Sequence, residues 1–166
     1  MRSTVLALGL SLALAAPAFA GAPAPKKPID IQRFMGRWHE IARTPNANQK
    51  GCTKGTMEWA SLGKGRFSVV QACTKGSGRK TWKGTATVAD ARTNAKLQLS
   101  LMGGLIKQEY WVLDRADDYS WAIAGTPGGN YVWVLSRKAS LTDAERAAVL
   151  ARVKALGYDT ARLEQS

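Results

Sequence analysis

Apolar and polar residues alternate with a period of two through the middle of the chain. Between residues 55 and 101, four segments place apolar side chains on one face and more polar side chains on the other. Glycines or Asn94 stand in the short breaks between these segments. Such alternation is typical of antiparallel strands with one buried face, and breaks of this length favour hairpin turns. We therefore predict four consecutive strands in this region.

Three later segments are apolar on both faces, at residues 110–113, 121–124 and 131–135. A strand that is buried on both sides needs a cover on its outer face. The chain supplies one, because apolar residues recur at helical spacing at Val149, Val153 and Leu156. Ser140 and Asp143 have the spacing of a capping box, and Gly157 ends the pattern. We predict one C-terminal α-helix packed on the outside of the late strands.

A further strand at residues 37–43 precedes the alternating region and follows a short helical turn at 29–35, which Asp30 can cap. The total is eight strands. Eight antiparallel strands can close into an up-and-down barrel whose interior holds one small ligand. The predicted fold class is therefore all-β, an eight-stranded antiparallel barrel with a helix outside. A β-sandwich is the alternative, but it does not explain why burial on both faces is confined to one end of the chain.

The first 20 residues have the composition of a signal peptide. Arg2 gives a positive start, residues 4–16 are almost purely apolar, and small residues precede a cleavage point after Ala20. We expect an exported protein with a flexible leader at 21–28, rich in Pro, Ala and Lys, and one domain at 29–166. The residue after the cut is Gly21, whereas a lipid-anchored bacterial lipoprotein would need cysteine there. We therefore do not expect a lipid anchor.

The chain is strongly basic, with a formal net charge of +12. Such a charge suits nucleic acid, an anionic membrane surface or an anionic ligand. We do not expect nucleic acid as a partner, because an exported protein rarely meets it and no binding motif is present. A solvated basic surface with no specific partner is the alternative.

Two cysteines, Cys52 and Cys73, flank one predicted hairpin. In an exported protein such a pair predicts a disulfide bond, and antiparallel pairing brings the two positions to the same end of the sheet. Cys52 falls on the outward phase of its strand, so the bridge requires an irregularity near Gly51 or Gly55. Free thiols, one of them catalytic, are the alternative.

Two segments near the ends of the domain carry a family resemblance. Residues 34–43 contain Gly36, Arg37 and Trp38, and residues 131–137 end in Arg137. These segments resemble the opening motif and the last strand of the lipocalin family, in particular bacterial outer-membrane lipocalins. The resemblance implies that Trp38 plugs the closed end of the barrel and that Arg137 packs over it as a structural pair. The chain departs from the family pattern at His39, where tyrosine is usual, and in its cysteines.

The lipocalin topology implies that alternate loops share the open end, here called the mouth. These loops lie at residues 44–53, 74–80, 102–108 and 125–130, and they contain no acidic residue. Their basic residues, the expected head-group contacts, are Lys50, Lys75, Arg79, Lys80 and Lys107. The closed-end loops instead contain Asp90, Asp114, Asp117 and Asp118, and the resemblance places the last three at an acidic turn between strands. This polarity predicts an anionic head group or peripheral contact with an anionic membrane.

The inward phase of the strands gives the expected lining of the barrel. It comprises Met57, Trp59, Phe67, Val69, Trp82, Leu97, Leu99, Leu101, Tyr110, Tyr131 and Trp133. Aromatic and aliphatic walls suit an acyl chain, although the same residues would also serve simply to fill the barrel. Glu40 shares the inward phase of Trp38, and we expect Arg137 or a lysine as its partner.

These observations predict a periplasmic lipid-binding lipocalin that stores or transports fatty acids, lysophospholipids or similar amphiphiles near the outer membrane. An enzyme is not expected, because the single histidine, His39, points out of the barrel, and no cofactor or metal is expected because clustered ligands are absent. Two alternatives remain. One is a lipocalin-fold isomerase or esterase that uses a thiol at the mouth. The other is a basic module that docks on a membrane or protein and has a filled barrel.

Overall fold

A single closed antiparallel sheet forms the body of the protein. The computed structural model describes residues 21–166, so the predicted signal peptide lies outside the described residues. The strands are β1 Gly36–Arg43, β2 Thr53–Gly63, β3 Arg66–Lys75, β4 Gly78–Val88, β5 Lys96–Leu101, β6 Ile106–Arg115, β7 Trp121–Gly125, β8 Val132–Ser136 and β9 Glu164–Gln165. Each strand from β1 to β7 pairs with the next, β8 pairs with β1 and so closes the sheet, and β9 pairs with β1. The predicted eight-stranded barrel is confirmed.

The two-residue strand β9 was not predicted. It pairs with β1 beside the mouth, next to Ala42 and Arg43. Two further hydrogen bonds hold the last residue: Ser166 N donates to Ile41 O at 3.1 Å, and Gly55 N donates to Ser166 Oγ at 3.0 Å. The C-terminal residues therefore connect β1 and β2 by hydrogen bonds on the outside of the barrel.

Two α-helices flank the barrel, α1 at Ile31–Phe34 and α2 at Asp143–Ala155. Asp30 caps α1 as predicted, accepting hydrogen bonds from the main-chain N–H groups of Gln32 and Arg33. The predicted capping box of α2 at Ser140 and Asp143 is wrong. Thr142 and Glu145 form it instead, with Thr142 Oγ1 accepting from Glu145 N and Glu145 Oε2 accepting from Thr142 N. The same spacing occurs two residues later with glutamate, which is long enough to reach back to the cap.

Apolar residues form two separate cores. One fills the interior of the barrel, and the other lies between the outer wall and α2. In the outer core, Val149 and Val153 of the helix pack with Ile123, Val132 and Val134 of β7 and β8. This arrangement explains why the late strands are apolar on both faces.

The leader at residues 21–28, predicted to be flexible, lies extended along the outer wall. Ala22 N donates to Pro127 O at 3.0 Å near the mouth, and Lys27 Nζ donates to Arg115 O at 3.0 Å near the closed end. Pro25 between them is buried. Prolines restrict the backbone to extended conformations, which lowers the entropic cost of holding this segment against the barrel.

Candidate functional site

The closed end is sealed by Trp38 and Arg137. The Arg137 guanidinium lies over the Trp38 ring, 3.6 Å from its centroid, and the indole Nε1 donates to Phe34 O at 2.9 Å. Arg137 also donates, at 2.7 to 2.9 Å, to the main-chain carbonyl oxygens of Arg33, Met35 and Arg37. The two residues are thus in contact, and each also satisfies main-chain groups that would otherwise be unpaired at this end.

The acidic residues near the closed end have different environments. Asp90, Asp117 and Asp118 lie in or beside the turns, as predicted. Asp114 does not, because it is a buried residue of β6 whose carboxylate pairs with Arg152 of α2 at 2.7 Å. The prediction that Asp114 lies in a closed-end loop, at the acidic turn, is therefore wrong, and its carboxylate is paired with Arg152 and with Lys27 of the leader.

A column of aromatic rings crosses the barrel interior. Ring centroids are 5.5 Å apart for Phe34 and Trp59, 5.6 Å for Trp59 and Tyr110, and 6.0 Å for Tyr110 and Trp133. Since β2 and β6 lie four strands apart in an eight-stranded closed sheet, contact between Trp59 and Tyr110 spans the lumen. The column runs from Phe34 at the closed end to Trp133 near the mouth. The deeper pair, Trp59 and Tyr110, is here called the floor of the lumen.

The predicted lining residues divide by depth. Those packed in the interior core are Met57, Trp59, Phe67, Val69, Leu97, Leu99, Tyr110 and Trp133. Trp82 and Leu101 are only half-buried, and they face inward near the mouth together with the half-buried Ile106. The upper wall formed by β4, β5 and β6 is therefore accessible. Tyr131 lies before β8 rather than in it, stacks on Trp133 and is 38% exposed, so it belongs to the rim.

Two clefts lie outside the lumen. One, of about 300 Å³, lies between the β7–β8 loop and the residues that follow α2, around Asn130 and Tyr158. The other, of about 320 Å³, is a shallow hollow beside Lys50 and Glu164. Neither was predicted from the sequence.

A buried polar network occupies one side of the mouth. Arg43 Nη1 donates to Glu40 Oε1 at 2.6 Å, and Gln49 Nε2 donates to Glu40 Oε2 at 2.8 Å. Trp133 Nε1 completes the chain by donating to Gln49 Oε1 at 3.1 Å. The expected partners of Glu40, Arg137 or a lysine, are wrong. A register shift between Glu40 and Ala42 reverses the phase of β1 and turns Arg43 inward.

Gly55 of β2 provides the space for this network. A Cβ atom at Gly55 would lie 2.7 Å from Glu40 Oε1, closer than non-bonded atoms approach. Arg43 also donates to the main-chain oxygens of Gln49 and Cys52, at 3.2 and 3.0 Å. The buried guanidinium therefore holds the β1–β2 loop against the barrel.

The predicted disulfide between Cys52 and Cys73 is confirmed, with a Cα–Cα distance of 5.5 Å. The irregularity that it requires is also present. The register of β2 against β3 shifts between Thr53 and Thr56, and Lys54 has a φ of +51°. The bridge fastens the β1–β2 loop to the β3–β4 hairpin at the mouth.

The five predicted head-group residues lie around the mouth, but they differ in direction. Lys80 shares the inward phase of Trp82, lies 4.7 Å from the centroid of its ring, and donates to Asn48 O at 3.1 Å. Arg79 and Lys107 are on the opposite, outward phase of their strands. Lys50 is exposed on the β1–β2 loop, and Lys75 is exposed at the last position of β3. Of the five, Lys80 is therefore the one beside the lumen.

An exposed apolar tip at the mouth was missed by the sequence analysis. It is the β5–β6 turn, here called the apolar tip, in which Met102 is 52% exposed and Leu105 is 85% exposed. Leu62, which is 53% exposed, lies at the other end of the barrel, in β2 just before the β2–β3 turn. A period-two pattern does not predict whether an apolar side chain at a turn or at the end of a strand is exposed.

Comparison with known proteins identifies relatives over most of the chain. A family profile described as a lipocalin-like domain matches residues 29–166. Temperature-induced lipocalin-1 of Arabidopsis thaliana is 28% identical over 148 residues, which cover 84% of this chain and 80% of the plant protein. The outer membrane lipoprotein Blc of Escherichia coli K12 is 29% identical over 139 residues, which cover 81% of this chain and 76% of that protein.

The fold also matches solved structures. Insecticyanin from the tobacco hornworm Manduca sexta superposes with a TM-score of 0.73 at 20% identity, over 91% of this chain and 87% of insecticyanin. This similarity concerns the fold alone. Within residues 21–166, no helix has both the length and the apolar character needed to span a bilayer.

Proposed function

The chain belongs to the lipocalin family, and on that premise we propose that it binds one amphiphile, with the acyl chain in the lumen and an anionic head group at the mouth. The observation that carries this proposal is the position of Lys80, which faces inward over Trp82 at the top of an accessible apolar wall. A cation beside an apolar lumen suits a carboxylate or phosphate attached to a hydrocarbon chain.

Fatty acids and lysophospholipids are the ligands that we propose, together with an exported, periplasmic location near the outer membrane. Residues 1–20 support export, and the similarity to proteins named outer membrane lipoprotein supports the location. Gly21 after the predicted cut supports a form without a lipid anchor. The role of the protein is then storage or transport.

Binding rather than catalysis is part of the proposal. Both cysteines are consumed in the bridge, so the thiol that an isomerase or esterase would use is not free. Among residues 21–166, no three side chains of His, Cys, Asp or Glu converge as a metal site would require.

Ligand titration tests the head-group assignment. We expect a fatty acid to quench or shift the tryptophan fluorescence at lower concentration than an alkylamine of equal chain length. Lys80→Met should weaken fatty-acid binding several-fold, the size expected for one partly exposed ion pair. Lys107→Met, which removes an outward-facing mouth lysine, should leave it unchanged. Equal or tighter binding of the amine would contradict the proposal.

A second candidate function, docking on an anionic membrane, is favoured by the apolar tip. Met102 and Leu105 project from a mouth whose loops are basic. Apolar side chains that insert among head groups and lysines that meet anionic lipids reinforce each other. This function requires no ligand in the barrel and so also fits the alternative of a filled barrel.

Vesicle flotation separates this function from ligand binding. We expect the protein to bind phosphatidylglycerol vesicles but not phosphatidylcholine vesicles. Leu105→Asp should abolish binding, whereas Leu62→Asp, which changes a similarly exposed leucine at the opposite end, should not. Equal effects of the two substitutions would show that the mouth is not the docking surface.

A further inference from the structure

Two polar atoms in the floor of the lumen have no hydrogen-bond partner within residues 21–166. They are Nε1 of Trp59 and the hydroxyl of Tyr110. Both side chains are almost completely buried, at 1% and 2% exposure, and their rings touch across the barrel. A buried polar group without a partner costs about 1–3 kcal/mol. Such a cost within the proposed binding site points to a missing partner.

The network beside the floor does not supply that partner. Burial raises the pKa of Tyr110, and the nearby negative charge of Glu40 raises it further. However, the Glu40 oxygens already accept from Arg43 and Gln49, and neither makes a hydrogen bond to the Tyr110 hydroxyl. An indole N–H can only donate, and a tyrosine hydroxyl donates readily. The floor is therefore short of an acceptor.

The floor lies at a depth that an acyl chain reaches. Ile106, Gln108 and Tyr110 follow one another on the inward phase of β6, opposite Leu101, Leu99 and Leu97 of β5. Ile106 and Gln108 are half-buried, whereas Tyr110 is buried. Four residues along a strand span about 13 Å. A chain that enters beside Ile106 thus meets Tyr110 part-way along its length rather than at its head group.

We propose that Trp59 and Tyr110 form a polar subsite that selects acyl chains carrying an oxygen, a keto or hydroxyl group, part-way along the chain. The proposal rests on the proposed function, because it assumes that the head group stays at the mouth. A keto oxygen has two lone pairs and can only accept hydrogen bonds, which is what these two unpaired donors lack. The lumen then discriminates oxygenated from plain fatty acids by satisfying groups that a plain chain leaves unpaired.

The experiment compares fatty acids of one chain length by calorimetry: the plain acid, and a series with a keto group at successive positions. In the wild-type protein, one position should bind about tenfold more tightly than the plain acid, which corresponds to one or two good hydrogen bonds. A peak at one position is the signature of donors at a fixed depth.

Tyr110→Phe removes only the unpaired hydroxyl, so the variant should fold with undiminished stability. We expect it to bind the plain acid as the wild type does and to lose most of the preference for the keto acid. Tyr131→Phe, at the exposed rim, should retain the full preference. Trp59→Phe provides a second variant and should also reduce it.

Each outcome bears on the proposal. Equal wild-type affinity at every keto position would overturn it and would indicate that buried water satisfies the two donors. A preference that survives in both Tyr110→Phe and Trp59→Phe would also overturn it. Binding of plain acids without any preference would leave the proposed function standing, whereas failure of every acid to bind would overturn both.

Discussion

Arg43 links three parts of the mouth: strand β1, the β1–β2 loop and strand β9. Its guanidinium contacts Glu40 on the same strand, the β1–β2 loop through Gln49 and Cys52, and Glu164 of β9 at 2.9 Å. The side chain is 2% exposed, so its charge is compensated by the protein rather than by water. Removal of Glu40 would leave the buried guanidinium with Glu164, whose side chain is 42% exposed, and the loss of a buried partner is costly.

Glu40→Gln should therefore lower the free energy of unfolding by about 2–3 kcal/mol, less than the full cost of an unpaired buried charge because the pair with Glu164 remains. Glu58→Gln is the matched control, because Glu58 pairs with Arg37 at 3.2 Å with both side chains more than half exposed. That substitution should cost less than about 1 kcal/mol. Urea denaturation of both variants measures the difference, and similar losses would refute the assignment of Glu40 as a buried partner of Arg43.

Trp38 and Arg137 should behave as one unit at the closed end. Trp38→Ala should destabilise the protein by about 3–5 kcal/mol, as for other buried aromatic residues. Arg137→Ala should also destabilise it, because three main-chain carbonyl groups lose their donor. In a double-mutant cycle the two losses should be non-additive, since the groups are in contact. Strict additivity would contradict a coupled pair.

The strands follow from the sequence because each has one face in the barrel, and a buried face imposes a period of two. Both-face burial in the late strands likewise predicts the covering helix. The pattern fails where the phase of a strand changes. Strict alternation along β1 would turn Arg43 out of the barrel, but the register shift between Glu40 and Ala42 turns it inward. No local signal in the sequence predicts that shift.

Two other features escape prediction for different reasons. Gln49 belongs to a polar loop, and only the tertiary contact with Glu40 and Trp133 explains its burial. The unpaired state of Trp59 and Tyr110 is a relation between two strands and their surroundings, so it has no sequence signature. The lining residues were predictable one by one, whereas the division of the lumen by depth was not.

The disulfide fixes the β1–β2 loop, and its loss should be felt locally first. Cys52→Ser with Cys73→Ser should reduce the free energy of unfolding by about 3 kcal/mol, the value expected for a loop of this length. Hydrogen exchange should accelerate at residues 44–53 and leave the strand amides of β5 and β6 protected. Uniform acceleration throughout the barrel would show that the bridge supports the whole fold rather than the mouth.

Charge and apolar exposure give the molecule two different ends. The mouth has basic loops without acidic residues, the apolar tip and the accessible upper wall, whereas the closed end has a packed plug, turns with both acidic and basic residues, and Leu62. The two proposed functions, ligand binding and membrane docking, would therefore use the same end of the molecule. The protein would then not need to turn over between docking on the membrane and taking up or releasing an amphiphile.

Closure of the sheet joins β1, the first strand, to β8 and β9, the last ones. A ribosome must therefore release almost the entire chain before β1 gains its second neighbour. Until that moment the nascent sheet has a bare edge, which is a template for unwanted pairing with other chains. Biogenesis thus depends on a single long-range event, and long-range events are slow. Under the export that we propose, the interval before closure would also be the period in which the chain is still unfolded enough to pass through a secretion channel.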